Sequence, residues 1–222
     1  GDLKYKDLSG PDGKPDGVIN EYDKTNIGSP MPDFTFGWTN TFRYKNFDLS
    51  VFINGSYGNK VFNYLGMKLT HMNSAWINQL NTIADRAQLI PVDANKVYAN
   101  GGKWYDDVTN VTVANSATSI PRASIQDPND NDRVSDRYVE DGSYIRLKNI
   151  TFGYTFPKNM IKKVGLENLR VYANIQNLLT LTKYEGYDPE IGVSTASANV
   201  YGLDNGRYPS PTVYSFGLNV SF

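Results

Sequence analysis

The sequence predicts an all-β chain, part of a transmembrane antiparallel β-barrel, to which it contributes five strands. Three observations lead there. Five segments of roughly ten residues alternate in polarity with a period of two, the length a tilted strand needs to cross a bilayer. Aromatic residues gather near the ends of the apolar rows, where girdles at the two membrane interfaces would sit. The connections alternate between short and long, as periplasmic turns and extracellular loops do.

The first strand is expected over 34–44, with Phe34, Phe36, Trp38, Phe42 and Tyr44 on one face and Thr35, Gly37, Thr39, Thr41 and Arg43 on the other. Asn40 is the one polar residue in that apolar row. Only Lys45 and Asn46 separate it from the second, 47–57, where Phe47, Leu49, Val51, Ile53 and Tyr57 alternate with Asp48, Ser50, Phe52, Asn54 and Ser56. So short a link predicts a tight hairpin. The third, 144–156, changes phase: Ile145 and Leu147 share one parity, and Ile150, Phe152, Tyr154 and Phe156 the other. One extra residue near Lys148 and Asn149 would do this, so a β-bulge is expected there. The fourth, 169–181, sets Leu169, Val171, Ala173, Ile175, Leu179 and Leu181 against Arg170, Tyr172, Asn174, Gln176 and Thr180. The fifth, 212–222, sets Tyr214, Phe216, Leu218, Val220 and Phe222 against Val213, Ser215, Gly217, Asn219 and Ser221.

A soluble antiparallel sheet would also alternate; the aromatic girdles and the loop asymmetry are what favour a barrel. If the last strand runs inward to the periplasm, residues 1–33, 58–143 and 182–211 all lie outside the cell. Five strands cannot close a barrel, so the others must come from sequence beyond this chain. Gly1-Asp2-Leu3 shows no initiator Met and no leader, and reads as an internal cut. Within the segment 58–143, a helix is expected from the N-cap Ser74 to Pro91, with Trp76, Leu80, Ile83 and Ala87 on one face. Residues 127–141 are polar and turn-rich.

Composition removes several function classes. Lys+Arg 22 against Asp+Glu 23 leaves no basic surface for nucleic acid. No cysteine is present, which excludes thiolate metal sites and Cys nucleophiles. Mean hydropathy is negative, which alternating barrel strands permit.

The stretch Ser135-Asp136-Arg137-Tyr138-Val139-Glu140-Asp141-Gly142-Ser143-Tyr144-Ile145-Arg146-Leu147-Lys148-Asn149-Ile150 strongly resembles the late signature of the SusC/RagA family of TonB-dependent outer-membrane transporters of Bacteroidetes. Ile27-Gly28-Ser29-Pro30 with Pro32-Asp33-Phe34, Asn177-Leu178-Leu179-Thr180 with Tyr184-Glu185-Gly186-Tyr187-Asp188-Pro189-Glu190, and the final Gly217-Leu218-Asn219-Val220-Ser221-Phe222 agree in order and spacing. The resemblance covers nearly the whole chain. It implies the C-terminal five strands of a barrel of about 22 strands with a plugged lumen. It further implies a SusD-like lipoprotein lid, energy from TonB through a missing N-terminal region, and active import of a bulky nutrient, an oligosaccharide or a peptide, across the bacterial outer membrane. No catalysis is implied. A soluble β-rich glycan-binding module and a passive porin are the competing readings; the first lacks a lipid-facing band, the second a plug and a lid.

Candidate sites follow. Asp7, Ser9, Asp16 and Asp23 resemble a calcium loop of the D-x-[DN]-x-[DN]-G kind, which gathers hard oxygen ligands around a glycine turn. Residues 11–15 interrupt the pattern, Asp23 stands where a bidentate Glu is usual, and a register begun at Asp12 puts Lys14 at a ligand position. The alternative is a solvated Asp/Gly/Pro turn. His71 is the single histidine and is expected on a loop surface; without a second His or Cys, neither zinc nor a His-dependent triad is expected. The pairs Glu140/Asp141 and Asp106/Asp107 lack surroundings that would raise one pKa, as general-acid chemistry requires. Trp76, Trp104, Tyr105, Tyr184, Tyr187, Tyr201 and Tyr208 fall in the expected outer loops, either to contact a sugar ring or lid protein or to pack the loops themselves. Arg43, Asp48, Arg170 and Asn174 are expected to face the lumen and anchor a plug, since a basic side chain facing lipid at mid-depth costs about 2–4 kcal/mol.

Overall fold

Strand β1 spans Phe34–Tyr44 and β2 spans Phe47–Tyr57, so Lys45 and Asn46 are the whole of the connection. Lys45 takes a positive φ of 51°, which lets the turn follow the right-handed twist of the strands. In chain order there follow β3 (Lys60–Asn63), α1 (Tyr64–Thr70), β4 (Leu89–Pro91), β5 (Val111–Val113), β6 (Val139–Asp141), β7 (Tyr144–Thr155), α2 (Lys158–Ile161), β8 (Asn168–Thr182), β9 (Leu203–Asp204) and β10 (Val213–Ser221). The computed structural model describes residues 1–74, 76–191 and 200–222, with the backbone alone at Asn100. Two compact units divide the chain: Gly1–Ile27 with Leu65–Tyr138, and Gly28–Tyr64 with Val139–Phe222.

The second unit holds a five-stranded sheet in the order β1-β2-β7-β8-β10, every neighbouring pair antiparallel. Its register aligns the alternation of all five strands. Phe42, Leu49, Phe152, Ala173 and Phe216 form one transverse row; Tyr44, Phe47, Tyr154, Val171 and Leu218 form the next. Phe42, Tyr44, Phe47, Phe152, Phe216 and Leu218 of these rows are exposed, Phe216 keeping 84% of its surface, and Leu49, Tyr154, Val171 and Ala173 are half-buried. Water would penalise so continuous an apolar band, and a bilayer would not. The opposite face carries Thr41, Ser50, Thr151, Asn174 and Ser215 in one row.

The bulge widens across the sheet. From Val51 to Ile53, β2 advances two residues, while the partners in β7 run from Ile150 to Leu147 and those in β8 from Ile175 to Leu179. Relative to β2, strand β7 therefore carries one additional residue, Lys148, and β8 carries two, Asn177 and Leu178. Asn177 adopts a left-handed φ of 52°. Its side-chain NH2 donates to the Pro211 carbonyl (3.0 Å) and its own carbonyl accepts from the Thr212 hydroxyl (2.9 Å). The β10 ladder begins beside this bulge, at Val213 opposite Gln176.

Beyond the long strands, β3 pairs antiparallel with β6 and parallel with β9. Gly142 follows β6, and a Cβ there would fall 2.3 Å from Asn59 Nδ2 and 2.6 Å from Val61 Cγ2. Val61 is almost fully buried, so that approach requires glycine.

The first unit contains little regular structure: α1 from Leu65 onward, 3-10 turns, and β4 paired with β5. The helix expected from Ser74 to Pro91 does not form. Only a 3-10 turn at Asn81–Asp85 appears, and Ala75 lies outside the described residues. The Ser74 hydroxyl does accept from Trp76 N (3.3 Å). The backbone that would continue the helix is claimed elsewhere: Asn115 binds the Arg86 carbonyl and the Gln88 N–H (2.8 Å each), and Leu89–Pro91 pairs with β5. Ile83 and Ala87 are buried as that apolar pattern requires, but Trp76 is 95% exposed.

Candidate functional site

The residues of the polar sheet face bond to one another. Arg170 Nε donates to Asp48 Oδ1 at 3.0 Å, and its second nitrogen donates to Oδ2. The pair spans Gly153, where a Cβ would lie 2.4 Å from Arg170 Nη2 and 2.6 Å from Asp48 Oδ1. Arg43 sits directly opposite Asp48 in the β1–β2 register. Asn174 donates to Asn149 Oδ1 (2.7 Å) and Thr151 Oγ1 (2.8 Å). Arg43, Asp48, Arg170 and Asn174 share this face in the register.

Sequence reasoning missed the strongest cluster on that face. Arg146 of β7 is 3% exposed. It donates from Nε to Thr180 Oγ1 (2.8 Å), from Nη1 to Glu190 Oε2 (2.7 Å) and from Nη2 to Asp188 Oδ1. Lys148 donates to the same Glu190 oxygen (2.7 Å). Asp188 also accepts from Glu190 N (3.0 Å) and Ser210 N (2.9 Å). Burial alone would raise the Asp188 carboxyl, but the Arg146 side chain and the two backbone N–H groups outweigh it and hold it below its ordinary range. A strand arginine and the acids of Asp188-Pro189-Glu190 were the available signal; nothing local joins them over forty-odd residues.

The loop aromatics divide. Tyr187, Tyr201 and Tyr208 are exposed, and Trp104 packs edge-on against Tyr105 with ring centroids 5.6 Å apart. Tyr184 differs from the expected contact residue: it is buried, and its hydroxyl donates to Asp204 Oδ2. Burial first, then this bond, pushes its pKa well above the usual value. Asp204 accepts from Gly206 N and Arg207 N as well, so Tyr184 fastens its loop and offers no free ring face.

At the N-terminal turn, Asp23 Oδ1 accepts from Leu8 N (2.7 Å) and Ser9 N (3.2 Å), and Oδ2 from Asn20 N (2.8 Å). The backbone donors of Asn20 and Leu8 hold its carboxyl below the ordinary range. Asp7 Oδ2 accepts from Gly17 N (2.6 Å), whereas its Oδ1 is buried without a partner. Asp16 accepts from Val18 N (2.9 Å). Thus Asp7 and Asp23 meet at the motif's two ends, with most of their oxygens spent on backbone N–H groups. Among the described residues, Asp7, Asp16 and Asp23 do not converge as a three-ligand group.

The acidic pairs are anchored too. Glu140 accepts from Asn63 Nδ2 (2.7 Å) and Glu185 N (2.8 Å). Hydrogen bonds from the Ser143 side chain and backbone hold Asp141 below the usual carboxylate range. Asp106 accepts from Lys103 N (3.0 Å), and the Lys96 ammonium holds Asp107 at about 2. For Asp141 and Asp107 that shift is opposite to the one a general acid requires. His71 is not on the surface as expected; it is buried against Asp127.

A sheet with one face apolar and exposed and the other polar and internally bonded defines a segment of a membrane-spanning β-barrel. No family model matches the chain. TonB-dependent receptor P3 of Formosa agariphila is 35% identical over 98% of this chain and 19% of its own length. TonB-dependent receptor P26 of the same organism is 33% identical over 100% of this chain and 20% of its own. TonB-dependent receptor SusC of Bacteroides thetaiotaomicron is 27% identical over 93% and 17%. The RagAB peptide transporter superposes with a TM-score of 0.67 over 93% of this chain and 19% of that one, at 21% identity, and shares the fold. Over nearly its whole length the chain is thus similar to TonB-dependent receptors, SusC among them. It spans about a fifth of the length of the curated relatives it matches.

Proposed function

We propose that the protein carrying this chain imports a bulky nutrient across the bacterial outer membrane, driven by TonB and assisted by a SusD-like surface lipoprotein. One observation carries the reading: the register that aligns an exposed apolar band on one face aligns ion pairs and amide bonds on the other. The apolar band faces lipid. The polar face, with Arg43, Asp48, Arg170 and Asn174, faces the lumen and meets a plug supplied by sequence outside the chain. Residues 1–33, 58–143 and 182–211 form extracellular loops, where Trp76, Trp104, Tyr105, Tyr187, Tyr201 and Tyr208 contact the cargo or the lid.

Exposed aromatic faces suit the stacking of sugar rings, which favours an oligosaccharide. The RagAB neighbours, a peptide transporter and importer, support peptide as the second reading. The turn of Asp7, Ser9, Asp16 and Asp23 is proposed to take calcium, on the strength of the partnerless Asp7 oxygen; the cation would draw Asp23 away from its backbone donors.

Mild-detergent extraction of outer membranes, followed by mass spectrometry of everything that co-purifies, tests the reading. Recovery of this chain with barrel and plug sequence and a lipoprotein partner is the expected result. Recovery as a monomer in a detergent-free soluble fraction would sink it.

A further inference from the structure

We infer that His71, Asp127 and Asp132 form a binding site for a divalent transition-metal ion of the zinc class. Three features on the first unit lead to it. His71, which follows α1, is 7% exposed, and its Nε2 has no hydrogen-bond partner. That orphan nitrogen points at two carboxylates, lying 3.2 Å from an oxygen of Asp127 and 3.9 Å from one of Asp132, without hydrogen-bond geometry to either. One donor atom from each of the three residues lies within 4.8 Å of the others. Tetrahedral zinc with bonds of about 2.05 Å separates its ligand atoms by about 3.3 Å. The His71–Asp127 separation is close to that value, and Asp132 has about half an ångström to close on His71.

The surroundings are arranged for the same task. Asp127 is buried, and both its oxygens are oriented by Asn131: Oδ2 by the backbone N–H at 2.6 Å and Oδ1 by the side-chain NH2 at 2.7 Å. Such bonds to a ligating carboxylate are the usual supporting shell of a metal site. A cavity of about 10 Å³ adjoins His71, Asp127, Asn131 and Tyr138, room for roughly one water as a further ligand. Two cations stand nearby. Arg122 is engaged by Asp2 through two bonds (2.9 and 3.1 Å). Lys68, 3.6 Å from Asp132 and one-third exposed, reaches solvent on its flexible stem and yields the carboxylate. An imidazole with two carboxylates selects zinc-like ions over magnesium or calcium. Bound there, the ion clamps the end of α1 to the turn of residues 127–132.

The test uses the intact receptor in detergent, stripped with chelator and equilibrated with zinc chloride. An anomalous-scattering peak at the zinc absorption edge beside His71 Nε2 is expected. Equilibrium dialysis with metal analysis should show one zinc per chain fewer in His71→Ala than in the unaltered protein. Asp132→Asn, at a partly exposed position that folding tolerates better, should weaken the same zinc at least tenfold. Excess calcium or magnesium should not displace it. Absence of the peak overturns the inference, and so does equal zinc content in all three proteins.

Discussion

The main sheet and the first unit satisfy their backbones by opposite means. In the sheet, ladders of nine to eleven paired residues bond strand to strand, and side chains are left free to face lipid or each other. In the first unit, regular ladders are short and Asn and Asp side chains close the backbone instead. Asn131 accepts from Leu3 N (2.8 Å) and donates to Asp2 (3.0 Å) and Asp127. Asn110 exchanges bonds with the Asp93 backbone in both directions. A ladder depends on register and tolerates most single substitutions. A side-chain clasp depends on one amide and fails with it.

Substitutions that strike each device separately sharpen this contrast. The largest effect is expected at Arg146→Ala, which strands the buried Asp188 charge and should cost about 3–5 kcal/mol. Unfolding of the detergent-solubilised receptor, followed by its heat-dependent gel mobility, reads this directly; a cost under about 1 kcal/mol would remove the cluster's structural role. The same bonds fix a pH dependence. Asp188 has a folded pKa below its ordinary 3.8, so its contribution is complete above that value and is lost as the pH falls through the folded pKa. Proteolytic clipping of the segment after β8 should therefore rise only in acid below about pH 4, and Asp188→Asn should be clipped at neutral pH.

Next comes the lipid band. Phe216→Arg should destabilise by about 2–4 kcal/mol, whereas Ser215→Arg, one residue away on the polar face, should cost less than about 1 kcal/mol. Equal costs would mean the two faces share one solvent. Asn131→Ala in the first unit should cost about 2–3 kcal/mol, from two or more lost bonds to buried groups, and expose residues 1–27 to protease while the sheet stays intact. The smallest effect is a gain: Lys45→Gly should stabilise the β1–β2 hairpin by about 1 kcal/mol, by removing the cost of a side chain at positive φ.

Much of the sheet was legible in the sequence because its information is local. Alternation, turn length and parity are properties of neighbours, and the phase change in β7 placed the bulge at Lys148. The companion irregularity in β8 was invisible for the same reason. Two additional residues, Asn177 and Leu178, restore the parity that one would break, so the apolar row from Leu169 to Leu181 shows no phase change, and Asn177 stands in it as a single polar member. The Ser74–Pro91 segment misled in the other direction: its apolar spacing is helical, but a distant amide at Asn115 and the pairing of β4 with β5 claim its backbone.

By itself, then, the sequence determined which residues share a face of the sheet, where the five long strands lie to within a residue at each end, and which family the chain resembles. The tertiary structure alone decided what the isolated charges and rings do. It buried Tyr184 on Asp204, joined Arg146 to Asp188 and Glu190, and turned the single histidine inward onto Asp127. The physical reason is range. A period of two is set by the backbone of consecutive residues, whereas these contacts need chain segments twenty to sixty residues apart to meet.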